Sequence, residues 1–440
     1  METTPKDSKY VLYRKFFFFA FLFVLLFVPA IAIPGISFKL QIIDFLFPFM
    51  AAWIIWKKRE ALKLTYVRNL LLLMGVVVIS ILLNLSKNSF NDLFEVYDIL
   101  KYIAVFVVFK EIYQPKIKKI AFDIAFIILL LFNLFHYHDI FGFNDIIMPY
   151  YCGDNSIHLL TFGYNSLGEP ATKRMLGILG NPNNNAILFL IFTSLYLPKK
   201  GWTTKEMVFF YLSVIAVSAC QSRTGIIAFA TIFVLNFIII KWKWWKISLH
   251  TSLVVVLLMF FFNLDAFSDY LRIDFLTPKK KNRDYIMSLF NEEGFQGTSW
   301  QKRLEIWEDL LKESSQKPIL GHGPQKNHFY ATQLYSENEY VLMFWRFGIV
   351  GLVLYLFIFL TPLRNLIKNA RGDLEAKNML LVILLFVVAS ITNVPLSNTT
   401  LAPLFFILMG SYYSQYKYGT DLFYLKNRVH KWLPKFIKNE

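Results

Sequence analysis

The 440-residue sequence is 56% apolar and only 17% charged, with 46 phenylalanines and a mean hydropathy of +0.46. A soluble globule of this length carries more charge, so the composition excludes a water-soluble enzyme or binding module and predicts a polytopic membrane protein. The net charge of +16 does not imply nucleic acid as a partner, because the basic residues cluster in short segments beside apolar stretches, the pattern of cytoplasmic loops.

In chain order, apolar windows of about 17–25 residues predict twelve membrane helices, over 16–34, 38–56, 69–85, 95–112, 120–136, 182–198, 206–220, 224–240, 247–264, 338–361, 378–396 and 400–416. Lys6, Lys9, Arg14 and Lys15 precede the first window, and Ala30-Ile31-Ala32 resembles a signal-peptidase site. The run from Phe16 to Ile33 nevertheless exceeds the ~7–15 residues of a signal-peptide core, which predicts an uncleaved first span. The fourth window, with Asp98 and Lys101 inside it, is the weakest.

Orientation follows from the loops. Lys57, Lys58 and Arg59 follow the second window, Lys116, Lys118 and Lys119 the fourth, and Lys199, Lys200 and Lys205 the sixth. Lys241, Lys243 and Lys246 follow the eighth, and Arg364, Lys368 and Arg371 the tenth; the tail 417–440 is basic as well. Both termini are therefore expected in the cytoplasm. The expected fold is all-α, one membrane domain over 1–440, with outer segments at 137–181 and 265–337. In the larger of these, Thr298 and Gln301 have capping-box spacing. Trp300, Leu304, Trp307 and Leu311 then form one apolar stripe, predicting an amphipathic helix that lies on the membrane or caps the bundle and ends at Pro318.

The cytoplasmic loops are too short for a nucleotide-binding domain, and Gly321-His322-Gly323-Pro324 lacks the spacing and the Lys-Ser/Thr of a P-loop. Chemistry is thus expected on the outer face without ATP. Cys152 and Cys220 are too few for a disulfide framework or a zinc site, although an oxidising compartment permits one disulfide between them. His322 and His328, six apart without an acid cluster, make a poor metal site, so neither metal nor cofactor is expected.

Ser336 and Glu339 have capping-box spacing at the start of the tenth window. Glu337 between them is either an acid stabilised by the helix dipole or a partly desolvated general base at the mouth of a cleft. In Gln221-Ser222-Arg223-Thr224-Gly225, Arg223 either marks the interface or offers a guanidinium fork to phosphate. Arg303 either pairs with Glu305 or Glu308 on the helix surface or supplies a second phosphate clamp. Arg174, Arg272 and Arg346 are further arginine candidates for substrate contact, as are His322, Asn338 and Tyr340 near the same motifs. Arginines and a carboxylate without a metal cage suit a polyprenyl-diphosphate-linked sugar, whose leaving group needs charge stabilisation above all.

At these residues the chain resembles the O-antigen polymerase and O-antigen ligase family of bacterial surface-polysaccharide assembly. The resemblance rests on Ser222-Arg223-Thr224-Gly225, on Arg303 and Trp307 followed by Pro318-Ile319-Leu320-Gly321-His322-Gly323, and on Glu337-Asn338 followed by Gly348 and Gly351, over roughly 174–360. It implies metal-independent transfer of an oligosaccharide from undecaprenyl diphosphate at the periplasmic face of the inner membrane, with Arg223 and Arg303 on the donor diphosphate. Ligases of the family have a histidine where this chain has Glu337. That departure points to the polymerase branch, with Glu337 as the candidate base and a chain-length regulator as an expected partner. A ligase acting on lipid A core, and a polysaccharide flippase or exporter, are the alternatives.

Overall fold

The computed structural model describes residues 5–32, 39–151, 167–168, 172–199, 201–241, 244–262, 298–332 and 336–414. Each of the twelve apolar windows holds a helix. The first five are α1 (Pro5–Phe27), α2 (Ile42–Lys57), α3 (Thr65–Leu83), α4 (Leu93–Ile112) and α5 (Pro115–His138). A short α6 (Phe143–Tyr151) precedes α7 (Pro182–Tyr196), α8 (Thr204–Ala219), α9 (Arg223–Ile240) and α10 (Trp244–Phe262). Then come α11 (Thr298–Ser314) and α12 (Lys326–Thr332), and the apolar pattern resumes in α13 (Glu339–Asn369), α14 (Leu374–Ala389) and α15 (Leu401–Tyr413). Among the described residues the only strands are two-residue antiparallel pairs, 31–32 with 39–40 and 167–168 with 172–173. By length and composition α3, α5, α9 and α13 are apolar enough to cross a membrane, which agrees with a multi-pass membrane protein.

The weakest window turns out to be central. Helix α4 packs on α2, α3 and α15, and a Cβ on Gly410 of α15 would lie 2.4 Å from the Phe106 carbonyl oxygen, so the two backbones touch. Tyr102 stacks on Phe406 with ring centroids 5.0 Å apart. Buried Lys101 lies 3.0 Å from both Asp44 of α2 and Asp98, and Tyr97 donates to the same Asp44 oxygen at 3.0 Å. The charges that weaken the hydropathy of α4 are thus paired inside the bundle, where an unpaired charge is expensive. Elsewhere α7 packs on α8, and α14 on α9 and α7. Cys220 is a buried free thiol that accepts from Asn185 at 3.4 Å; Cys152 lies outside the described residues.

The sequence predicts one continuous helix over 338–361, but α13 is two arms joined at Gly348, whose φ of 63° and ψ of −167° are not helical. The segment 318–323 lies across this break and takes over its hydrogen bonds. Ile349 N–H donates to the Pro318 carbonyl at 2.8 Å, while His322 and Gly323 N–H groups donate to the Trp345 and Arg346 carbonyls at 3.0 and 2.8 Å. Ser80 of α3 donates to the Leu320 carbonyl at 2.7 Å. A broken helix at membrane depth is tolerated when protein re-satisfies the freed backbone groups in this way. The crossing leaves no room for side chains: a Cβ on Gly348 would lie 2.2 Å from the Ile319 oxygen, and one on Gly321 2.4 Å from the Arg346 carbonyl.

Helix α11 begins at Thr298 and stops at Ser314, before rather than at Pro318. It packs on the first arm of α13, through a face that shares Trp307 with the expected stripe but is turned away from Leu304 and Leu311. Leu304 and Leu311 of the predicted stripe are 45% and 46% exposed. Leu310 and Ile306 instead pack with Trp345, Leu342 and Phe329, and Trp307 donates its indole N–H to the Ser336 carbonyl. The stripe was read from apolar residues alone, whereas the docked face also carries Arg303 and Ser314.

Gly348→Ala should destabilise the protein by about 2–4 kcal/mol, through both its backbone region and the overlap with Ile319. Gly75→Ala, where nothing lies within 4 Å, should leave stability unchanged or slightly raised. Thermal unfolding in detergent compares the two.

Candidate active site

Three helices present capped N-termini to one region. The Asn181 side chain accepts from Asn183 and Asn184 N–H at 2.9 and 3.2 Å to start α7. The Ser222 hydroxyl accepts from Gly225 N–H at 3.1 Å to start α9. The Asn338 side chain accepts from Tyr340 and Val341 N–H at 3.0 and 3.1 Å to start α13. These are the side chains that satisfy the free N–H groups of a first turn, and each such terminus carries partial positive charge.

Arg174 ties two of the termini together. Its guanidinium donates to the Cys220 and Gln221 carbonyls at 3.2 and 3.1 Å, in the turn before α9, and to the Asn183 side chain of α7 at 3.1 Å. Arg223, the exposed first residue of α9, adjoins that turn. The Thr224 hydroxyl meets that of Thr392, in the turn after α14. The same turn joins the third terminus, because Glu339 N–H donates to the Ser390 carbonyl at 2.9 Å.

Half-buried Glu337 forms an ion pair with Arg303 of α11. Arg303 therefore faces inward and does not pair with Glu305 or Glu308 on its own helix surface. Burial raises the Glu337 pKa above the ordinary carboxylate value, and the charges of Arg303 and then Arg174 oppose that rise without cancelling it. Glu337 also has φ of +44°, a left-handed conformation that strains a non-glycine residue and is often found where a side chain must be aimed.

The expected Ser336–Glu339 capping box does not form. Asn338 is the cap, and Ser336 donates its hydroxyl to the Asn338 carbonyl at 2.9 Å. The fully buried Glu339 carboxylate turns the other way, accepting from Ser390 at 3.0 Å, Ser397 at 3.3 Å and Leu396 N–H at 3.4 Å. Capping-box spacing specifies only that two residues lie three apart; here the polar groups around 390–397 compete more strongly for the carboxylate.

The remaining candidates divide. Tyr340 donates its hydroxyl to the Val387 carbonyl at 2.7 Å, bracing α13 on α14. Arg346 is buried, lies 3.2 Å from Glu95 of α4 and sits over the Phe329 ring, so it is joined to α4 and α12 and not to the Glu337 group. His322 stacks on Trp345 with centroids 4.8 Å apart and bonds the Glu313 carbonyl at 3.1 Å. Burial lowers its pKa, and its contacts make it a brace of the loop. Arg272 lies outside the described residues. Among the described residues, no three His, Cys, Asp or Glu side chains form a cluster that could hold a metal ion. Sequence reading missed Asn183 and Thr392, which join the termini; the amide run Asn183-Asn184-Asn185 after Pro182 is the one signal that pointed to the first of them.

Residues 208–356 match the protein-family model described as O-antigen ligase. The matched span contains Arg223, Arg303 and Glu337, while Arg174 precedes it. No curated protein matches the chain.

Glu337→Gly should be more stable than Glu337→Ala by about 1 kcal/mol, because only glycine adopts the positive φ without strain; equal unfolding midpoints would mean that the residue is not held there. Glu339→Ala should destabilise by about 1–3 kcal/mol by stranding its buried donors, and denaturant unfolding in detergent reads the loss.

Proposed function

We propose that the chain is a polymerase of O-antigen or capsular repeat units. It passes a glycan chain from undecaprenyl diphosphate to a lipid-linked repeat unit at the periplasmic face of the inner membrane. In this reading all twelve apolar helices cross the membrane, both termini are cytoplasmic, and the Arg174–Arg303–Glu337 group opens to the outer leaflet. The observation that carries the reading is the half-buried Glu337 carboxylate, paired with Arg303 and within the field of Arg174, beside capped helix N-termini.

Positive helix ends and arginines are the groups that bind an anionic diphosphate. Arg223 and Arg303 hold the donor, the Arg303 guanidinium being shared between phosphate and Glu337 through its five N–H donors. The acceptor hydroxyl oxygen attacks the anomeric carbon and gives its proton to Glu337. The bond between that carbon and the phosphate oxygen breaks, and the electron pair leaves on undecaprenyl diphosphate, where the arginines hold its charge. The step needs neither a metal nor ATP, and a chain-length regulator is the expected partner. The family match and its description support the ligase acting on lipid A core as the second reading.

Deleting the gene in its host and running the surface polysaccharide on a silver-stained gel tests this. Core carrying a single repeat unit, with the ladder lost, supports the polymerase. Bare core with polymer left on the carrier means a ligase, and single units trapped on the cytoplasmic side mean a flippase. Arg223→Ala and Arg303→Ala should each abolish polymer without loss of membrane insertion, and chelators should leave transfer intact.

The pH dependence has a definite sign. Glu337 acts as base only when ionised, and its pKa is raised, so transfer should fall as pH drops through values above the ~4.3 of a free glutamate. In Arg174→Ala, which removes one lowering charge, the acid limb of kcat/KM should move to still higher pH. An unmoved limb would mean that Glu337 is not the titrating base.

A further inference from the structure

A groove of about 260 Å³ lies between α11, α12 and the first arm of α13, apart from the Glu337 group. Its floor is the buried surface of Leu310, Phe329 and Trp345, the two rings meeting edge to face with centroids 5.0 Å apart. Its rim is exposed and polar: Asp309, Glu313 and Gln316 lie along one edge at spacings that stack them on the side of α11 and its following turn. The Glu313 carboxylate is held in place by the Trp345 indole N–H at 2.8 Å. An apolar floor with a few placed polar groups is the usual construction of a small-ligand site.

Resting on the transfer reading above, we propose that this groove is a saccharide subsite that holds the sugars of the acceptor unit. Carboxylates accept from hydroxyls, and the Gln316 amide both donates and accepts, so the rim suits a polyhydroxylated ligand that lies along it above the apolar floor. Two carboxylates, Asp309 and Glu313, face Lys312 and the His328 ring across the groove, so with a neutral imidazole the rim is net negative and selects neutral or amino sugars over uronic acids. Asp309 and Glu313 lie on the same helix as Arg303, roughly 9–15 Å further along at 1.5 Å per residue. A short oligosaccharide spans that interval, so the groove grips the acceptor while its terminal hydroxyl reaches Glu337.

The test separates binding from transfer. The full chain in lipid nanodiscs is titrated with the host's own repeat-unit oligosaccharide, freed of its lipid and diphosphate, with binding followed by saturation-transfer NMR. Wild type should bind saturably, and Asp309→Ala and Gln316→Ala, both at exposed positions that tolerate substitution, should weaken binding at least tenfold. Glu305→Ala, an exposed position of α11 outside the groove, should bind within twofold of wild type, and an oligogalacturonate of equal length should not bind. No saturable binding by wild type, or unchanged affinity in both rim variants, overturns the proposal. Saturable binding lost in the rim variants, in a protein that forms no polymer from lipid-linked units, would keep the groove and remove the polymerase reading instead.

Discussion

The candidate site depends on one backbone crossing, where residues 318–323 pass over the break in α13 at Gly348. A helix interrupted inside a membrane protein leaves N–H and C=O groups without partners, each costly in an apolar surrounding. Here those groups are bonded by a second stretch of main chain, which Ser80 of α3 fastens through the Leu320 and Arg346 carbonyls. Because a side chain at Gly348 or Gly321 would overlap backbone, the crossing has one geometry, and the direction of the first arm of α13 follows from it.

That arm carries the motif around Glu337. It is steadied on one side by α11, through Leu310 against Trp345 and Trp307 against the Ser336 carbonyl. On the other side the buried Glu339 carboxylate gathers donors from the chain between α14 and α15. With Glu339 drawn inward and Asn338 used as the cap, Glu337 is the acid left facing Arg303. Two carboxylates two residues apart thus have opposite surroundings, one ringed by neutral donors and one set between arginines.

Opposed forces also set the character of Glu337. Burial disfavours its charge, Arg303 and Arg174 favour it, and burial prevails. Its left-handed backbone adds strain of about 1–2 kcal/mol, which the contacts of Ser336 and Asn338 on either side oppose. Arg346, although further along the apolar run, is joined to Glu95, so its position in that run did not identify the arginines that meet the acid.

Hydropathy alone located a helix in every apolar window, because burying backbone in lipid demands internal hydrogen bonds and long apolar runs. Residue type also put Arg303 and Glu337 among the candidates, each beside a plain structural alternative, and it is their ion pair that sets them apart from the other arginines and acids. What one-dimensional spacing does not contain is the direction of each side chain. Capping-box spacing suggested that Glu339 would cap its own helix, yet the polar groups at 390–397 took it, and of the apolar stripe of α11 Trp307 docks while Leu304 and Leu311 face outward. The break in α13 was equally hidden, because Gly348 in an apolar run reads as helix until 318–323 is laid across it. The sequence by itself determined the helical membrane architecture and the inventory of charges; only the tertiary structure decided which charges meet, because contacts between residues far apart in the chain outweigh local spacing.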